Sequence, residues 1–219
     1  MECTGSYRAA NKYEKSMIKN IVFDLGNVLI SFKPGEYLDK IGYTEESRNI
    51  IISDIFKSKE WELLDNGDIT TGDAIEMISA RSSLNIGEIA SIFNLRTKIM
   101  YPVTRNIKLL PGLKKRGFKL YFLSNFPDDI FDEIYDGYDF FRFFDGGIIS
   151  SRVKASKPEI KIFNILLDKY SLKPGECIFI DDNELNIKSA QSEGMTGILA
   201  LESKDLSEQI DKKLSLALE

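Results

Sequence analysis

The chain has 219 residues, 43% of them hydrophobic and 29% charged, with 29 basic against 34 acidic side chains and a formal charge of −5. That length holds one large domain, or a core domain with a small insert, and the composition excludes a disordered chain, a fibre and a collagen-like repeat. The acidic balance argues against a general nucleic-acid binder. Histidine is absent altogether, which excludes Ser-His-Asp and Cys-His catalysis, His-ligated zinc and a histidine proton shuttle. Chemistry has to run on Asp, Glu, Lys, Ser, Tyr or a metal held by oxygen. No apolar run approaches the roughly 20 residues of a membrane span, so no membrane partner is expected. The N-terminal stretch lacks the apolar core of a signal peptide. Two cysteines, Cys3 and Cys177, make no disulfide framework, so a reducing, cytoplasmic setting is the expectation. The oligomeric state has no signature in the sequence.

In chain order, residues 1–18 are polar and uneven in pattern and read as an N-terminal extension, with Met17 as an alternative start. Short β-rich apolar runs follow at Ile21–Phe23, Leu120–Leu123, Gly147–Ile149, Cys177–Ile180 and Ile198–Leu201. A continuous run such as Ile178-Phe179-Ile180 fits a strand buried on both faces of a parallel sheet. The stretch between the first run and the second is too long for a simple crossover. Within it Thr44, Thr70 and Asn85 read as helix N-caps, and Thr70-x-x-Asp73 matches a capping box. Residues 34–103 are therefore expected to form a small all-helical insert, leaving 19–33 and 104–219 as the core.

Helices are expected to alternate with the remaining strands. Pro111-Gly112 marks a helix start or kink. Asp128 is placed to cap a helix carrying Ile130, Phe131, Ile134 and Tyr135. Pro158 suits a first helical position, with Ile162, Phe163, Leu166, Leu167 and Tyr170 following at helical spacing. Asn183 reads as the cap of a helix that Gly194 ends, and Leu206 to Leu218 as a closing helix. The sum is an α/β fold: a doubly wound parallel sheet, Rossmann-like, with a small all-helical unit inserted after the first strand.

In an open parallel sheet, ligands bind beyond the carboxyl ends of the strands. Asp24 ends the first strand, Ser124-Asn125 the second and Asp181-Asp182-Asn183 the fourth, while Lys157-Pro158 follows the third. Three carboxylates brought to one crevice repel one another, and leaving water costs each about several kcal/mol. A cation that prefers oxygen resolves this, and Mg²⁺ is the natural choice beside phosphate. A carboxylate nucleophile, a metal and a cationic clamp are what phosphoryl transfer through an aspartyl-phosphate needs.

Four segments in order, Phe23-Asp24-Leu25-Gly26-Asn27-Val28, Leu123-Ser124-Asn125, Ser156-Lys157-Pro158 and Phe179-Ile180-Asp181-Asp182-Asn183, resemble the motifs of the haloacid dehalogenase superfamily. The resemblance covers about residues 19–201. It is nearest to the superfamily's phosphatases with a helical cap after the first strand, in particular bacterial sugar-phosphate phosphatases of the glucose-1-phosphate type. It implies Asp24 as nucleophile and Mg²⁺ ligand, the Gly26 carbonyl and Asp181 as further ligands, and Asp182 completing the metal shell directly or through water. It also implies that Ser124 and Asn125 hydrogen-bond the phosphoryl oxygens, that Lys157 neutralises charge on the phosphoryl group and Asp24, and that Leu25 to Phe32 form a flap moving with the cap. The implied substrate is a small phosphorylated metabolite.

One position departs from the pattern. Most phosphatases of the superfamily carry a second aspartate two residues after the nucleophile as general acid and base, and here that residue is Gly26. Either the leaving group needs little protonation, as in a glycosyl 1-phosphate or an aryl phosphate, or an insert residue helps, with Glu60, Glu62, Asp65 and Asp68 around Trp61 as candidates. Two other readings stand beside the phosphatase: a metal-independent dehalogenase, which leaves Asp181-Asp182 unexplained, and an inactive or weakly active member that binds a phosphorylated ligand or a partner protein. Cys177, with no histidine to activate it, reads as a core residue. Trp61 and Phe140-Phe141-Arg142-Phe143-Phe144 read as packing, and Lys114-Lys115-Arg116 as a solvated helix end.

Overall fold

Every residue of the first strand is buried, and its side chains alternate between two apolar layers: Ile21 and Phe23 pack on one face of the sheet, Val22 on the other. The computed structural model describes residues 17–216. In chain order its strands are β1 (Asn20–Phe23), β2 (Ile30–Phe32), β3 (Met100–Pro102), β4 (Lys119–Ser124), β5 (Gly146–Ile149), β6 (Cys177–Asp181) and β7 (Thr196–Leu199). Five of them form a parallel sheet in the order β5-β4-β1-β6-β7. β1 is central, and the chain winds outward from it first to β4 and β5, then to β6 and β7, so the order reverses beside β1.

Helices cover both faces. The helices Leu110–Lys115, Asp128–Gly137 and Leu206–Leu216 supply Leu113, Phe131, Ile134 and Ile210 to one layer. The helices Ile160–Lys169 and Glu184–Ser192 supply Ile162, Phe163, Leu166, Ile187 and Ala190 to the other, beside the buried, unpaired Cys177. Burial pushes the Cys177 thiol up to about 11, which fits an inert core residue. Phe140 and Phe141 are buried too, and Phe141 and Phe144 meet Phe122 edge to face. Lys114 and Arg116 are paired, with Asp145 at 2.6 Å and Asp211 at 2.7 Å respectively.

Residues 34–99 are helical and carry a third apolar core of their own, with Leu38, Ile55, Leu64, Ile78, Ile89 and Phe93, whereas Met100–Pro102, expected within the all-helical insert 34–103, is a strand because it pairs with β2. Thr44, Thr70 and Asn85 each cap a helix with the side-chain oxygen, and both Thr70–Asp73 and Asn85–Glu88 close reciprocal capping boxes. This unit leaves and rejoins the core through a two-stranded antiparallel neck, β2 against β3, in which Ile30 faces Pro102 and Phe32 faces Met100. Phe32 packs on the sheet's core and also stacks on Trp61, 5.8 Å between ring centroids.

Four sequence expectations are corrected here. Pro158 is not the first residue of a helix: it follows a cis peptide bond from Lys157, and the helix begins at Ile160 with Glu159 as its cap. Asp128 is the first helical residue rather than the cap, which is Pro127, and its carboxylate binds Arg152 at 2.6 Å. The last strand runs from Thr196, two residues earlier than its apolar residues suggest. Gly197 pairs with Phe179 in it, and only a glycine admits the Ile187 side chain there, which would stand 2.6 Å from a Cβ. The buried core also takes in Ile18, assigned to the extension. The rest of the expected extension, residues 1–16, and the end of the closing helix, 217–219, lie outside the described residues.

Candidate active site

The site assembles at the carboxyl ends of the three middle strands. Asp24 follows β1, and its backbone N–H still donates to Ile180 of β6 at 2.8 Å, which fixes its level against Asp181, the last residue of that strand. Ser124 ends β4 on the other side. One oxygen from each of Asp24, Asp181 and Asp182 lies within 4.8 Å of the others. Lys157 enters from the loop after β5, its Nζ 2.7 Å from Asp24 Oδ1 and 2.6 Å from Asp181 Oδ2. Asp24, Asp181 and Lys157 are all buried, at 7%, 0% and 6% exposure, while Asp182 is exposed.

The electrostatics decide what such a cluster needs. Among the described residues Lys157 is the cation that pairs with these carboxylates, so ionising all three leaves two negative charges without partners. Burial lifts Asp24 from its ordinary 3.8 to about 7, with Lys157 pulling down and Asp181 pushing up. Burial and repulsion from Asp181 also raise Asp182. Burial works against the Lys157 ammonium, but Asp24 and Asp181 outweigh it and hold its pKa above the usual lysine value. An all-oxygen donor set with excess negative charge suits a hard divalent cation such as Mg²⁺, which would take the place of the extra proton.

Backbone turns hold these groups in place. The Leu25 N–H donates to Asp24 Oδ1 at 2.7 Å, whereas Oδ2 accepts no hydrogen bond among the described residues. Gly26 follows: a Cβ there would stand 3.7 Å from Oδ2, and its carbonyl accepts from the Val28 N–H at 2.7 Å. Asn27, at φ 52°, donates to Asp182 at 3.2 Å and accepts from the Phe32 N–H at 3.0 Å, tying the turn to the neck. Asn125 bonds Lys157 twice, donating to its carbonyl at 2.9 Å and accepting from its N–H at 2.8 Å. Its side chain thus aims the lysine loop. Ser124 is 1% exposed, and its hydroxyl has only a long contact of 3.5 Å, to the Asn125 carbonyl.

Asn186 escaped the sequence reading. On the first turn after Asn183, it donates to both oxygens of Asp181 at 3.0 Å, so Asp181 is oriented from its far side. Its spacing, one helical turn from the Asn183 cap and five residues after Asp181, was the available signal.

The helical unit roofs the site. Asp65 and Asn125 border two openings: a cavity of about 460 Å³ shared with Lys157, Lys59, Glu62 and Asp68, and an apolar slot of about 80 Å³ shared with Gly26, Phe32, Trp61, Met100 and Phe126. Trp61 is largely packing, against Phe32, Phe56 and Phe93, with an edge on the slot. Burial raises Asp65 to about 7, Arg96 lowering it and Asp24 and Glu62 adding to the rise. The roof is pinned to the core at Asp129, which takes Arg96 at 2.7 Å and Thr71 at 2.6 Å. It is pinned again at Gly67, which has φ +73° and would bring a Cβ within 2.6 Å of the Ser151 carbonyl. Gly67→Ala is therefore expected to lower stability by about 2 kcal/mol, from the left-handed backbone plus the clash; urea unfolding measures it, and a change within error would mean that the roof does not rest on the core there.

Acids and a lysine gathered where a parallel sheet reverses its order mark an enzyme of the α/β class. A model of the haloacid dehalogenase-like hydrolases matches residues 18–194, and the chain belongs to that family. Sesquiterpene phosphatase astK of Aspergillus oryzae is 29% identical over 180 residues, 82% of this chain and 88% of that protein. Drimenol cyclase drtB of Aspergillus calidoustus is 25% identical over 197 residues, 89% of this chain but only 36% of that protein. Among solved structures, a haloacid dehalogenase family enzyme of Bacteroides thetaiotaomicron in complex with magnesium and inorganic phosphate has a TM-score of 0.69 at 25% identity, over 88% of this chain and 98% of that one. No helix among the described residues is long and apolar enough to cross a membrane.

Proposed function

We propose that the chain is a Mg²⁺-dependent phosphatase that hydrolyses a small phosphomonoester through an aspartyl-phosphate on Asp24, in a reducing cytosol. The observation that carries this reading is the buried Asp24–Lys157–Asp181 cluster with Asp182 beside it. A metal-independent dehalogenase would leave three carboxylates facing one ammonium. The magnesium and phosphate bound by the Bacteroides relative, and the phosphatase name of astK, support the same reading.

Asp24, the Gly26 carbonyl, Asp181 and Asp182 would hold the ion. Bound there, Mg²⁺ would neutralise the carboxylates and the charge on the transferring phosphoryl group. Asp24 Oδ2, free of hydrogen-bond donors among the described residues, is the oxygen available to attack phosphorus, while Leu25 N–H and Lys157 hold Oδ1. Lys157 and the Ser124 hydroxyl stabilise the phosphoryl oxygens, and Asn125 keeps Lys157 aimed.

The charged and amide-bearing lining of the larger cavity suits a hydroxylated alcohol such as a sugar. The apolar slot and the sesquiterpene phosphatase relative favour a second substrate reading, an apolar alcohol. Phosphate release from a panel of sugar, aryl and prenyl monophosphates, with Mg²⁺ and with chelator, tests both. Metal-dependent turnover is expected, and the panel's preference assigns the alcohol. Binding of phosphate and Mg²⁺ without any turnover would instead favour the inactive, ligand-binding reading.

A pH signature follows. Between the ordinary 3.8 and about 7, folded Asp24 keeps a proton that the unfolded chain has released, so its contribution to stability falls as pH rises through that window. A divalent cation competes with that proton. Mg²⁺ is expected to raise the thermal midpoint more at about pH 8 than at about pH 5; equal shifts at the two pH values would remove Asp24 from the metal site.

A further inference from the structure

We infer that Asp65, carried by the helical unit, is the general acid that protonates the leaving oxygen in place of the side chain missing at Gly26. This inference rests on the phosphatase reading.

Gly26 leaves space beside Asp24 Oδ2, with no side chain of its own to fill it. Asp65 and Gly26 border the same slot, and Asp65 and Lys157 border the same larger cavity. Asp65 thus lines both openings, one with Gly26 of the turn after Asp24 and one with the lysine clamp. Its carboxyl makes no hydrogen bond and no ion pair with any described residue. Arg96, the cation that acts on it, is already engaged by Asp129, Thr71 and the Phe93 carbonyl.

Of the other acids of the segment, Glu60 and Asp68 are engaged by neighbours and Glu62 is exposed. Glu60 is gripped by Arg81 through both oxygens, at 3.2 and 2.6 Å. Asp68 accepts from Asn66 at 2.6 Å, and Glu62 is exposed at the cavity rim.

The backbone around Asp65 is built to hold a position. Its carbonyl accepts a hydrogen bond from the Ser150 hydroxyl, the Asn66 side-chain oxygen accepts one from the Ser156 hydroxyl at 3.0 Å, and Gly67 lies so close to Ser151 that a Cβ would clash with its carbonyl. Asp65 and Asn66 are thus hydrogen-bonded to the segment from Ser150 to Ser156 that leads to Lys157, and Gly67 lies close against it. Burial, Asp24 and Glu62 raise this carboxyl to about 7 against Arg96, so that near neutral pH a part of it carries a proton to give.

The steps balance as follows. Asp24 Oδ2 forms a bond to phosphorus, the phosphorus–alcohol oxygen bond breaks, and the leaving oxygen keeps the electron pair and takes the Asp65 proton. The Asp65 carboxylate then accepts a proton from the water that attacks the aspartyl-phosphate. The phosphorus–Asp24 bond breaks, releasing phosphate and restoring both carboxyl groups.

The test reads kcat/KM, which reports the first transfer, on 4-nitrophenyl, phenyl and 4-methoxyphenyl phosphates with Mg²⁺. Protonation matters little for nitrophenolate and greatly for the poorer leaving groups. The unsubstituted protein is expected to depend weakly on the leaving group. Asp65→Asn is expected to depend steeply, its loss growing from under about tenfold on the nitrophenyl ester to about 10²-fold or more on the methoxyphenyl ester, and Asp65→Glu to restore part of the difference. A steep dependence in the unsubstituted protein overturns the inference without any variant, and so does an equal loss by Asp65→Asn across the series. No Mg²⁺-dependent release from any ester by the unsubstituted protein would instead defeat the phosphatase reading, and this inference with it.

Discussion

Asp24→Asn is expected to abolish phosphate release, by roughly 10⁴-fold or more, and at the same time to unfold at a higher temperature than the parent in metal-free buffer. The two effects share one cause. The carboxylate proposed as nucleophile is buried, hydrogen-bonded on one oxygen only among the described residues and set beside other acids, and those same features make its charge costly. Folded Asp24 holds its proton up to about pH 7, whereas the unfolded chain releases it near the ordinary 3.8. Above that window the charged form burdens the native state, and a neutral amide relieves about 1–3 kcal/mol of it. Below about pH 4 both states are protonated and the two proteins should converge. Added Mg²⁺ should reverse the order, stabilising the parent more than the variant. Urea unfolding across pH, with and without the ion, measures this. A variant that is less stable at every pH would mean that Asp24 contributes mainly as the ion-pair partner of Lys157.

Lys157→Met should have the largest effect on stability, a loss of about 3–5 kcal/mol at neutral pH or above, with activity lost as well. Methionine preserves the unbranched stem and its packing beside Phe179, so the charge is what is removed. Asp24 and Asp181 would then be buried without a counter-charge, the latter with no exposed surface at all. The loss should shrink as pH falls, because the orphaned carboxylates can take up protons, and it should shrink with Mg²⁺. A loss under about 1 kcal/mol at pH 8 would mean that water reaches the cluster in the native protein.

The clustering of the candidate residues was legible in the sequence because a parallel sheet puts its strand ends on one line. Asp24, Ser124 and Asp181 each close an apolar run, and parallel register brings run ends together without further information. The helix caps were legible for a similar reason: Thr70–Asp73 and Asn85–Glu88 are local, and nothing distant competes with them. What escaped depends on contacts between distant segments. β2 and β3 are three residues each, too short for any periodicity, and exist because they pair. Asn186 looks like ordinary helix surface until Asp181 is placed beneath it. Asp65 was one of four acids in a polar stretch, and it takes the partners of Glu60 and Asp68, the exposure of Glu62 and the docking of residues 65–67 on Ser150, Ser156 and Ser151 to set it apart.

The pairing of Ile30–Phe32 with Met100–Pro102 has a further consequence. To the sheet, the long excursion between those strands is equivalent to a hairpin turn: the chain departs and returns at neighbouring points, whatever lies beyond. Loop-closure entropy grows only logarithmically with length, so the core is nearly indifferent to how many residues are spliced in there. A different set of helices joined at Phe32 and Met100 would leave the parallel register untouched. The helical half of the molecule is in that sense interchangeable, at little cost to the sheet that carries Asp24, Lys157 and Asp181.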